Sequence, residues 1–227
     1  MARVLVFDVI ETLLDPRPAR DALAGVFGDP PPFGEWFARL LHGSLVATVT
    51  DSYEEFGVIA GRALEGVASR RNQVLTDEAR GAILGTLRKL PAHPEVPEAL
   101  GRLRSAGFPL ATLTNSSTEA ARAQFDHAGL TDYFDHNFSV EEVRRYKPAP
   151  EPYLMAAERL GAYPQEIRMV AAHDWDVWGA MRAGCAAAFV ARGGASFTLG
   201  PPPDIEGPDL SAVADAILGS DAGSGPR

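Results

Sequence analysis

A short apolar run near the beginning of the chain ends in an acidic residue, and this junction constrains the fold more than any other feature of the sequence. Residues 4–7 read Val-Leu-Val-Phe and are followed by Asp8. A run of this length and β-branched content is typical of a strand buried on both faces of a parallel sheet. Ligands of such sheets bind just beyond the carboxyl ends of the strands, where Asp8 would lie, and Thr12 adds a hydroxyl nearby. Asp8 is therefore a candidate reactive carboxylate, although an Asp that begins a turn would give the same pattern.

Composition limits the classes of partner. The chain has 227 residues, of which 46% are hydrophobic and 22% charged, enough for one sizeable domain or a core with a smaller cap. Its net charge of -9 argues against a nucleic-acid partner, which requires a basic face. No apolar stretch approaches the roughly 20 residues that cross a bilayer, and no charged leader precedes the first strand. We therefore expect no membrane partner and a cytoplasmic location. The single cysteine, Cys185, lies in an apolar stretch and is expected to be a buried, unreactive thiol.

The stretch after Asp15 has a helical pattern. Prolines interrupt the chain at 16, 18 and 30–32, and apolar residues recur at helical spacing between and beyond them. Apolar residues at helical spacing predict three amphipathic helices, the third with Thr76 as its N-cap. These apolar residues are at positions 36, 37, 40, 41 and 45 in the first helix, 56, 59, 60, 63, 64 and 67 in the second, and 79, 83, 84 and 87 in the third. We predict an all-helical cap subdomain over residues 16–92, inserted into a core domain of residues 1–15 and 93–218. A disordered tail is expected over 219–227.

Helical and strand patterns alternate in the second half of the chain. Helices are predicted over 96–106, 118–128, 150–160, 174–183 and 211–218, and strands over 109–114, 136–139, 168–172 and 186–190. This alternation predicts an α/β fold, a Rossmann-like parallel sheet with helices on both faces. A cap inserted directly after Asp8 could cover that carboxylate and exclude water.

Three later segments carry polar residues that could share the crevice with Asp8. The first, Thr114, Asn115 and Ser116, lies between a predicted strand and a predicted helix. Hydroxyl groups and backbone N–H groups at a helix N-terminus bind anions. The same residues could also act as a helix cap, with Ser116 or Ser117 in that position.

The second segment contains Lys147. Lysine occurs only at positions 89 and 147, whereas arginine is common, so a lysine just before Pro148 in a loop is unusual for this chain. A site that needs a compact ammonium would select lysine, and near Asp8 the ammonium would keep the carboxylate ionised. A solvated surface lysine is the alternative. Tyr153, six residues later, could return its ring to the same site and contact the substrate.

The third segment follows the predicted strand that ends near residue 172. Asp176 could orient a water molecule or pair with Lys147, and it would also suit a helix N-terminus. His173 could contact a ligand or serve as a structural histidine. Trp175 lies between the two and is a candidate pocket residue.

These residues together carry a resemblance. Asp8 with Thr12, Thr114-Asn115, Lys147-Pro148 and Asp176 reproduce the order of the four motifs of the haloacid dehalogenase-like superfamily. Within it the chain resembles the L-2-haloacid dehalogenases, to about residue 218. The resemblance implies a core with an inserted cap, a homodimer, and Asp8 as nucleophile.

Two positions separate this pattern from that of the superfamily's phosphatases. Ile10 stands where those enzymes have a second Asp as general acid/base, and Ala172 stands where they have an acidic Mg²⁺ ligand. Since Mg²⁺ requires several hard oxygen ligands, we expect no catalytic metal and no cofactor.

The resemblance also implies roles for cap residues. Arg39 would receive the departing halide, and Phe56 would line the halide cradle. The sequence departs from better-known members at Ile10, where many have an aromatic residue, at Ala171, where they have Ser, and at His173, where they have Asn. These departures put the substrate range in doubt more than the reaction type.

The implied reaction is hydrolytic dehalogenation of small (S)-2-haloacids to (R)-2-hydroxyacids, with water as the second reactant and an ester on Asp8 as intermediate. Thr114 and Ser116 would hold the substrate carboxylate, and Asn115 would help Arg39 to accept the halide. Asp176, with His173, would position the water that hydrolyses the ester.

Three other functions stay open at this point. One is an Mg²⁺-dependent phosphatase of the same superfamily. Another is a hydrolase that opens a strained ring next to a carboxylate, such as azetidine-2-carboxylate. The third is a non-enzymatic scaffold that uses the cap as a binding surface.

Overall fold

The computed structural model describes residues 4–221 and contains a six-stranded sheet whose paired strands are all parallel. The strands are β1 (Val4–Phe7), β2 (Leu110–Thr114), β3 (His136–Ser139), β4 (Ile167–Ala171), β5 (Ala186–Val190) and β6 (Ile205–Gly207). Their order across the sheet is β3-β2-β1-β4-β5-β6. This is the strand order of doubly wound nucleotide-binding sheets, so the predicted α/β, Rossmann-like class is confirmed.

Helices form most of the connections between the strands, and they also make up the long insertion that follows β1. They are α1 (Arg17–Phe27), α2 (Phe33–Val49), α3 (Phe56–Arg70), α4 (Asp77–Thr86), α5 (Val96–Ser105), α6 (Thr118–Ala128), α7 (Pro150–Arg159), α8 (Asp174–Arg182) and α9 (Leu210–Asp221). Buried side chains form one cluster on each side of the sheet, as expected for strands covered on both faces.

The element predictions differ from the structure mainly at the C-terminal end. The edge strand β6 was not predicted, because a three-residue strand is too short to show a period. Helix α9 continues to Asp221, so residues 219–221, predicted as part of a disordered tail, are helical. The rest of that predicted tail, residues 222–227, lies outside the described residues.

Strand β1 lies in the middle of the sheet, where Val6 pairs with Ala111 of β2 and Met169 of β4. The chain continues outward to β3 on one side of β1 and to β5 and β6 on the other. The connections therefore diverge at the carboxyl end of β1, and a crevice opens there. Asp8 is the first residue beyond this end.

The insertion is held together by helix packing. The indole N–H of the fully buried Trp36, on α2, donates to the carbonyl of Ala60, on α3, at 3.0 Å. Two hydrogen bonds join the segments that lead into and out of the insertion: Asp15 N to Pro91 O at 2.8 Å, and His93 N to Leu13 O at 2.9 Å. We propose this double connection as the boundary between cap and core.

Two further features of the described residues bear on the sequence-based expectations. Between residues 4 and 221, no helix combines the length and the apolar character needed to cross a membrane. Cys185 is buried, and burial raises the pKa of its thiol to about 12, which makes it a poor nucleophile at neutral pH.

Candidate active site

Asp8 is fixed in orientation by its neighbours. Its backbone N–H donates to Val170 O at 3.0 Å, which continues the β1–β4 ladder past the strand end. The Thr12 hydroxyl donates to Asp8 Oδ2 at 2.7 Å and accepts the Ala172 N–H at 2.9 Å. Because that N–H occupies the acceptor side of the hydroxyl, its proton is directed at Asp8. Thr12 therefore fixes the orientation of the Asp8 carboxylate.

Lys147 joins two buried carboxylates. Its Nζ lies 2.8 Å from Asp8 Oδ1 and 2.6 Å from Asp176 Oδ2, and it donates a third hydrogen bond to Leu113 O at 2.8 Å. The Lys147 and Asp176 side chains are fully buried, and that of Asp8 is 8% exposed. All three ammonium protons are thus used. The surface-lysine alternative is excluded, and of the roles considered for Asp176, the pairing with Lys147 and the place in the first turn of α8 are both observed.

Charge and burial act in opposite directions on these groups. Burial would raise the pKa of Asp8, but the Lys147 ammonium, with hydrogen bonds from Lys147 and Thr12, holds that pKa below its ordinary value. Burial also favours neutral Lys147, yet the two carboxylates raise the pKa of the ammonium. For Asp176, burial raises the pKa and the Asp8 charge adds to this, despite the attraction of Lys147. The Lys147 ammonium therefore favours the ionised form of Asp8.

Tyr153 does not reach the substrate side of the site, in contrast to its predicted role in binding. Its hydroxyl donates to Asp176 Oδ1 at 2.6 Å and is fully enclosed. The ring returns to the site, as expected, but behind Asp176 rather than in front of Asp8. Burial, followed by the negative charge of Asp176, raises the pKa of this phenol well above its ordinary value, so Tyr153 serves as a donor that fixes Asp176.

The loop after β2 presents a polar edge opposite Asp8. Asn115 Oδ1 accepts the Lys147 backbone N–H at 3.1 Å, which leaves its amide N–H groups for a ligand. Thr114 Oγ1 accepts the Ser116 N–H at 3.1 Å, so its own proton can be donated. The N-cap residue of helix α6 is Ser117, whose side chain accepts a hydrogen bond from Ala120 N at 3.3 Å. Thr114 and Ser116 are therefore free of the capping role.

His173 and Trp175 form an aromatic side of the site. The His173 ring is stacked between Trp175, at a centroid distance of 5.1 Å, and Phe37 of the cap, at 5.5 Å. Its Nε2 lies 3.8 Å from Asp8 Oδ2. The Lys147 ammonium lies 6.0 Å from the centroid of the Trp175 ring.

A small cavity in front of Asp8 brings most of the predicted residues together. Its volume is about 20 Å³, enough for one water molecule. Its walls are formed by Asp8, Ile10, Phe37, Leu41, Phe56, Thr114, Asn115, Ser116, His173 and Trp175. Residues of α2 and α3 thus cover the carboxyl ends of β1, β2 and β4, and the small space that remains is lined by one carboxylate and by both apolar and polar side chains.

Arg39 is not among the residues that form this cavity, and its predicted place beside the halide is wrong for this structure. Its Nε pairs with Glu35 Oε1 at 3.3 Å, one turn earlier on the same helix. The side chain lies near Gly66 and lines a surface groove between α2 and α3. The cap residues that do reach the cavity from α2 are Phe37 and Leu41.

Helical geometry explains this difference. At 100° per residue, Leu41 lies about 40° from Phe37 around the helix axis, whereas Arg39 lies about 200° away. A projection of α2 would thus have shown that an arginine at 39 cannot share a face with Phe37 and Leu41. Glu11 was also missed. It lies 3.7 Å from His173 Nε2, and its position between Asp8 and Thr12 was the available signal.

The donor set around Asp8 does not fit a divalent cation. Both carboxylates of the site point at Lys147, and Ala172 has no side-chain oxygen to add. Ile10 contributes an apolar side chain to the cavity. A cation such as Mg²⁺ prefers several carboxylate ligands, and among the described residues that line the cavity Asp8 is the one carboxylate.

Comparison with known proteins gives consistent matches over most of the chain. The family of haloacid dehalogenase-like hydrolases matches residues 2–184. The (S)-2-haloacid dehalogenase 1 of Pseudomonas sp. (strain CBS-3) is 31% identical over 180 residues, which cover 78% of this chain and 79% of that protein. The crystal structure of the L-2-haloacid dehalogenase RSc1362 superposes with a TM-score of 0.92 at 26% identity, covering 95% of this chain and 98% of the other. The structure of an L-2-haloacid dehalogenase from Xanthobacter autotrophicus with chloropropionic acid covalently bound superposes with a TM-score of 0.86 at 25% identity. The superposition covers 96% of this chain and 99% of the other.

Proposed function

Because the chain belongs to the haloacid dehalogenase-like hydrolase family, we propose that it hydrolyses small (S)-2-haloacids to (R)-2-hydroxyacids through an ester on Asp8. One observation carries this proposal: a buried carboxylate, fixed by Thr12 and Lys147, forms one wall of a small cavity whose other walls combine apolar side chains with hydrogen-bond donors. A carboxylate is a better nucleophile when water is excluded, and this enclosure provides that condition.

In the first step the Asp8 carboxylate attacks the substrate carbon that carries the halogen, from the side opposite the carbon–halogen bond. An oxygen–carbon bond forms, the halide leaves with the bonding electrons, and the configuration at carbon inverts. The hydroxyls of Thr114 and Ser116, at the positive end of α6, hold the substrate carboxylate. Lys147 keeps Asp8 anionic for the attack.

The departing halide is received by the amide N–H groups of Asn115 and the edges of the surrounding aromatic rings. Asn115 is oriented for this by its bond to Lys147 N, and the rings of Phe56 and Trp175 line the same cavity. Arg39 has no part in this step, because its guanidinium lies at the outer groove.

In the second step a water molecule attacks the carbonyl carbon of the ester. His173 is the base placed for this attack, since its Nε2 lies 3.8 Å from Asp8 Oδ2 at the cavity wall. Asp176 acts indirectly, because its oxygens are bonded to Lys147 and Tyr153. Lys147 stabilises the negative charge that develops on the ester oxygen.

Substrate access requires movement of the cap. A cavity of about 20 Å³ cannot hold a haloacid, so the structure corresponds to the closed enclosure without space for substrate. Phe37, Leu41 and Phe56 are the cap side chains that must withdraw. The double connection near Asp15 and Pro91 is the place where such a movement would pivot.

The direct test is halide release from (S)-2-chloropropionate in the presence of EDTA. We expect release to continue under chelation and to fall by at least about 10⁴-fold in Asp8→Asn, because the amide is not a nucleophile. Asp132→Asn, at an exposed position, is the matched control and should keep full activity. A single turnover in ¹⁸O-labelled water should place the label in Asp8 before it enters product.

Two outcomes would count against this function. Release that requires added Mg²⁺, with hydrolysis of a phosphate ester under the same conditions, would indicate a phosphatase. Halide release that persists in Asp8→Asn would show that the reaction does not proceed through an ester on Asp8.

The position of Arg39 leads to a second expected result. Arg39→Gln should retain halide release within about twofold, since it removes only a partly exposed pair with Glu35. Asn115→Ala should reduce it by about 10²-fold, as expected when a donor to a developing charge is removed. The measurement is the steady-state rate of halide release at saturating substrate for each of the two variants. A loss of activity in Arg39→Gln as large as that in Asn115→Ala would show that Arg39 does take part in halide release.

One observation favours a second candidate substrate. In the part of the chain that the structure describes, the cavity wall contains the rings of Phe37, Phe56 and Trp175 and no arginine. Aromatic faces attract cations, so a strained cyclic amino acid such as azetidine-2-carboxylate would also suit the wall. Asp8 would then displace the ring nitrogen at the same carbon. Product analysis with this compound alongside (S)-2-chloropropionate separates the two.

A homodimer and a cytoplasmic location complete the proposal. Val46 and Val49, on helix α2, are 45% and 84% exposed and offer an apolar surface on the cap for a second copy of the chain. The unpaired, buried Cys185 suits a reducing compartment.

A further inference from the structure

Helix α8 contains a buried glycine at a position where helix stability would favour alanine. Gly179 lies in the interior of α8, and a glycine there loses more conformational freedom on folding than an alanine does. Its place three residues after Asp176 puts it on the same side of the helix as that carboxylate. The glycine therefore needs a reason, and the atoms packed against it supply one.

Another segment of the chain lies directly against Gly179. A Cβ atom at this position would lie 2.4 Å from Pro148 Cβ, 2.9 Å from Pro148 Cα and 2.7 Å from Tyr153 Oη. Cβ atoms in proteins essentially never make contacts shorter than 3.0 Å. Because the proline ring is rigid and its Cα belongs to the backbone, no side-chain rotation relieves this overlap. Only glycine allows the chain at Pro148 to lie so close to α8.

The other helix glycines do not have such surroundings. Around Gly25 on α1 and Gly81 on α4, a Cβ atom would meet nothing within 4 Å. At Gly43 on α2 it would lie 2.6 Å from the Cγ2 methyl group of Ile59, a side-chain contact between two helices of the cap. Among the glycines of the described helices, Gly179 is the one whose added Cβ would overlap with the backbone of another segment.

The segment that touches Gly179 carries Lys147. The Lys147 ammonium reaches α8 at Asp176, and the next residue, Pro148, reaches the same helix one turn later at Gly179. On the other side, the Lys147 backbone N–H donates to Asn115 Oδ1 at 3.1 Å. Lys147 is therefore held between the loop after β2 and α8. The distance between the Pro148 backbone and α8 determines how far the lysine side chain must reach.

We propose that Gly179 is a positioning residue for Lys147. Because it has no side chain, the Lys147 backbone lies close enough to α8 for one ammonium to bind both Asp8 and Asp176. The inference rests on the proposed function, since it explains how the lysine that supports Asp8 in that reaction is held in place.

The size of the effect follows from the distances. An ordinary contact of 3.4 Å or more, in place of 2.4 Å, would displace Pro148 from α8 by about 1 Å. The Lys147 side chain is fully buried and its three ammonium protons are all used, so a close-packed interior gives it little room to compensate. A displacement of about 1 Å in a catalytic group can cost up to about 10²-fold in rate.

The test follows chloride release from (S)-2-chloropropionate in a single turnover, between about pH 4 and pH 8. Gly179→Ala should slow release at pH 7 by about 10-fold to 10²-fold. The acid limb of its pH profile should move to higher pH by at least about half a unit, because a more distant ammonium lowers the pKa of Asp8 less. The other groups that face Asp8 are the same in every variant of this test except where stated below: Thr12, Asp176 and His173.

Two glycine variants separate displacement of Lys147 from a general loss of stability. Gly25→Ala, at an exposed position with open space, should match wild type in rate and acid limb and melt at the same temperature or higher. Gly43→Ala introduces a similar overlap, but within the cap. It should melt at a lower temperature than wild type and keep the acid limb in its wild-type position.

The Tyr153→Phe background separates the two contacts of the added methyl group. Without the Tyr153 hydroxyl, Gly179→Ala overlaps with Pro148 alone. Compared with Tyr153→Phe, the double variant should still show the slower release and the shifted acid limb. This background also relieves part of the overlap, so it keeps the test valid if Gly179→Ala alone does not fold.

Each outcome bears on one of the two proposals. An unchanged acid limb and rate in Gly179→Ala, in both backgrounds, would overturn the positioning role and leave the proposed function intact. A shift that disappears in the Tyr153→Phe background would assign the effect to Tyr153 and Asp176, which also overturns the role for Lys147. Absence of chloride release by the wild type would overturn the proposed function itself.

Discussion

Replacing Lys147 by methionine should both destabilise the protein and abolish activity. The change keeps the length and much of the volume of the side chain but leaves Asp8 and Asp176 facing each other, buried and without their shared ammonium. Removing one partner of a buried ion pair typically costs about 3–5 kcal/mol. Loss of the charge that supports both steps should lower halide release by at least about 10²-fold.

The measurement is the free energy of unfolding by urea as a function of pH. In wild type the lowered pKa of Asp8 contributes stability that is present above the unfolded pKa of 3.8 and is lost as the pH falls through the folded value. In Lys147→Met the buried carboxylates are easier to fold when protonated, so the deficit should shrink between pH 7 and about pH 4. Lys89→Met, at the other lysine of the chain and exposed, is the matched control. A deficit independent of pH would contradict the charge argument.

Replacing Tyr146 by alanine should release the cap from the core. Tyr146 is fully buried and directly precedes Lys147. Its ring contacts those of Tyr53 and Phe56, at centroid distances of 5.3 and 5.8 Å, and its hydroxyl donates to Glu54 O. Truncation of a buried aromatic residue typically costs about 3–5 kcal/mol. We expect a loss of this size, and faster opening of the cap because the removed contacts lie between cap and core.

Amide hydrogen exchange locates the effect. In Tyr146→Ala the amides of α2 and α3 should lose more protection than those of β1 and β2. Tyr146→Phe keeps the ring and should lose only about 1 kcal/mol with the hydroxyl. Tyr163→Ala, at a tyrosine that is 76% exposed, should change neither stability nor exchange. Equal loss of protection in sheet and cap would mean that the ring stabilises the whole fold rather than the closed cap.

Much of the core and the site could be predicted from the sequence because parallel strands end at one edge of the sheet. Asp8, Thr114 and His173 lie at or just beyond the carboxyl ends of three different strands, and the structure brings them to a single cavity. Strand lengths and helix periods also agree with the structure to within a residue or two at most ends, including β3 and β5. These features depend on local patterns of apolar residues, which a sequence displays directly.

Other features depend on directions in space that such patterns do not contain. The Tyr153 ring returns to the site, but whether it lies before or behind Asp176 is decided by packing across the sheet. The wrong prediction for Arg39 has a different cause. Its placement on the outer face of α2 could have been deduced from helical spacing, but the family resemblance implied a place beside the halide. Glu11 was hidden because a left-handed backbone conformation leaves no mark on the residue type that adopts it.

The central place of β1 in the sheet has a consequence for synthesis on the ribosome. Its two partners are β2 and β4, so Val4–Phe7 emerges long before Leu110–Thr114, and longer still before Ile167–Ala171. Helices α1 to α4 emerge in between, and their mutual contacts are local enough to form early. During synthesis, then, the lid over the reactive carboxylate precedes the pocket that it covers. Asp8, among the first residues made, is among the last to acquire its surroundings.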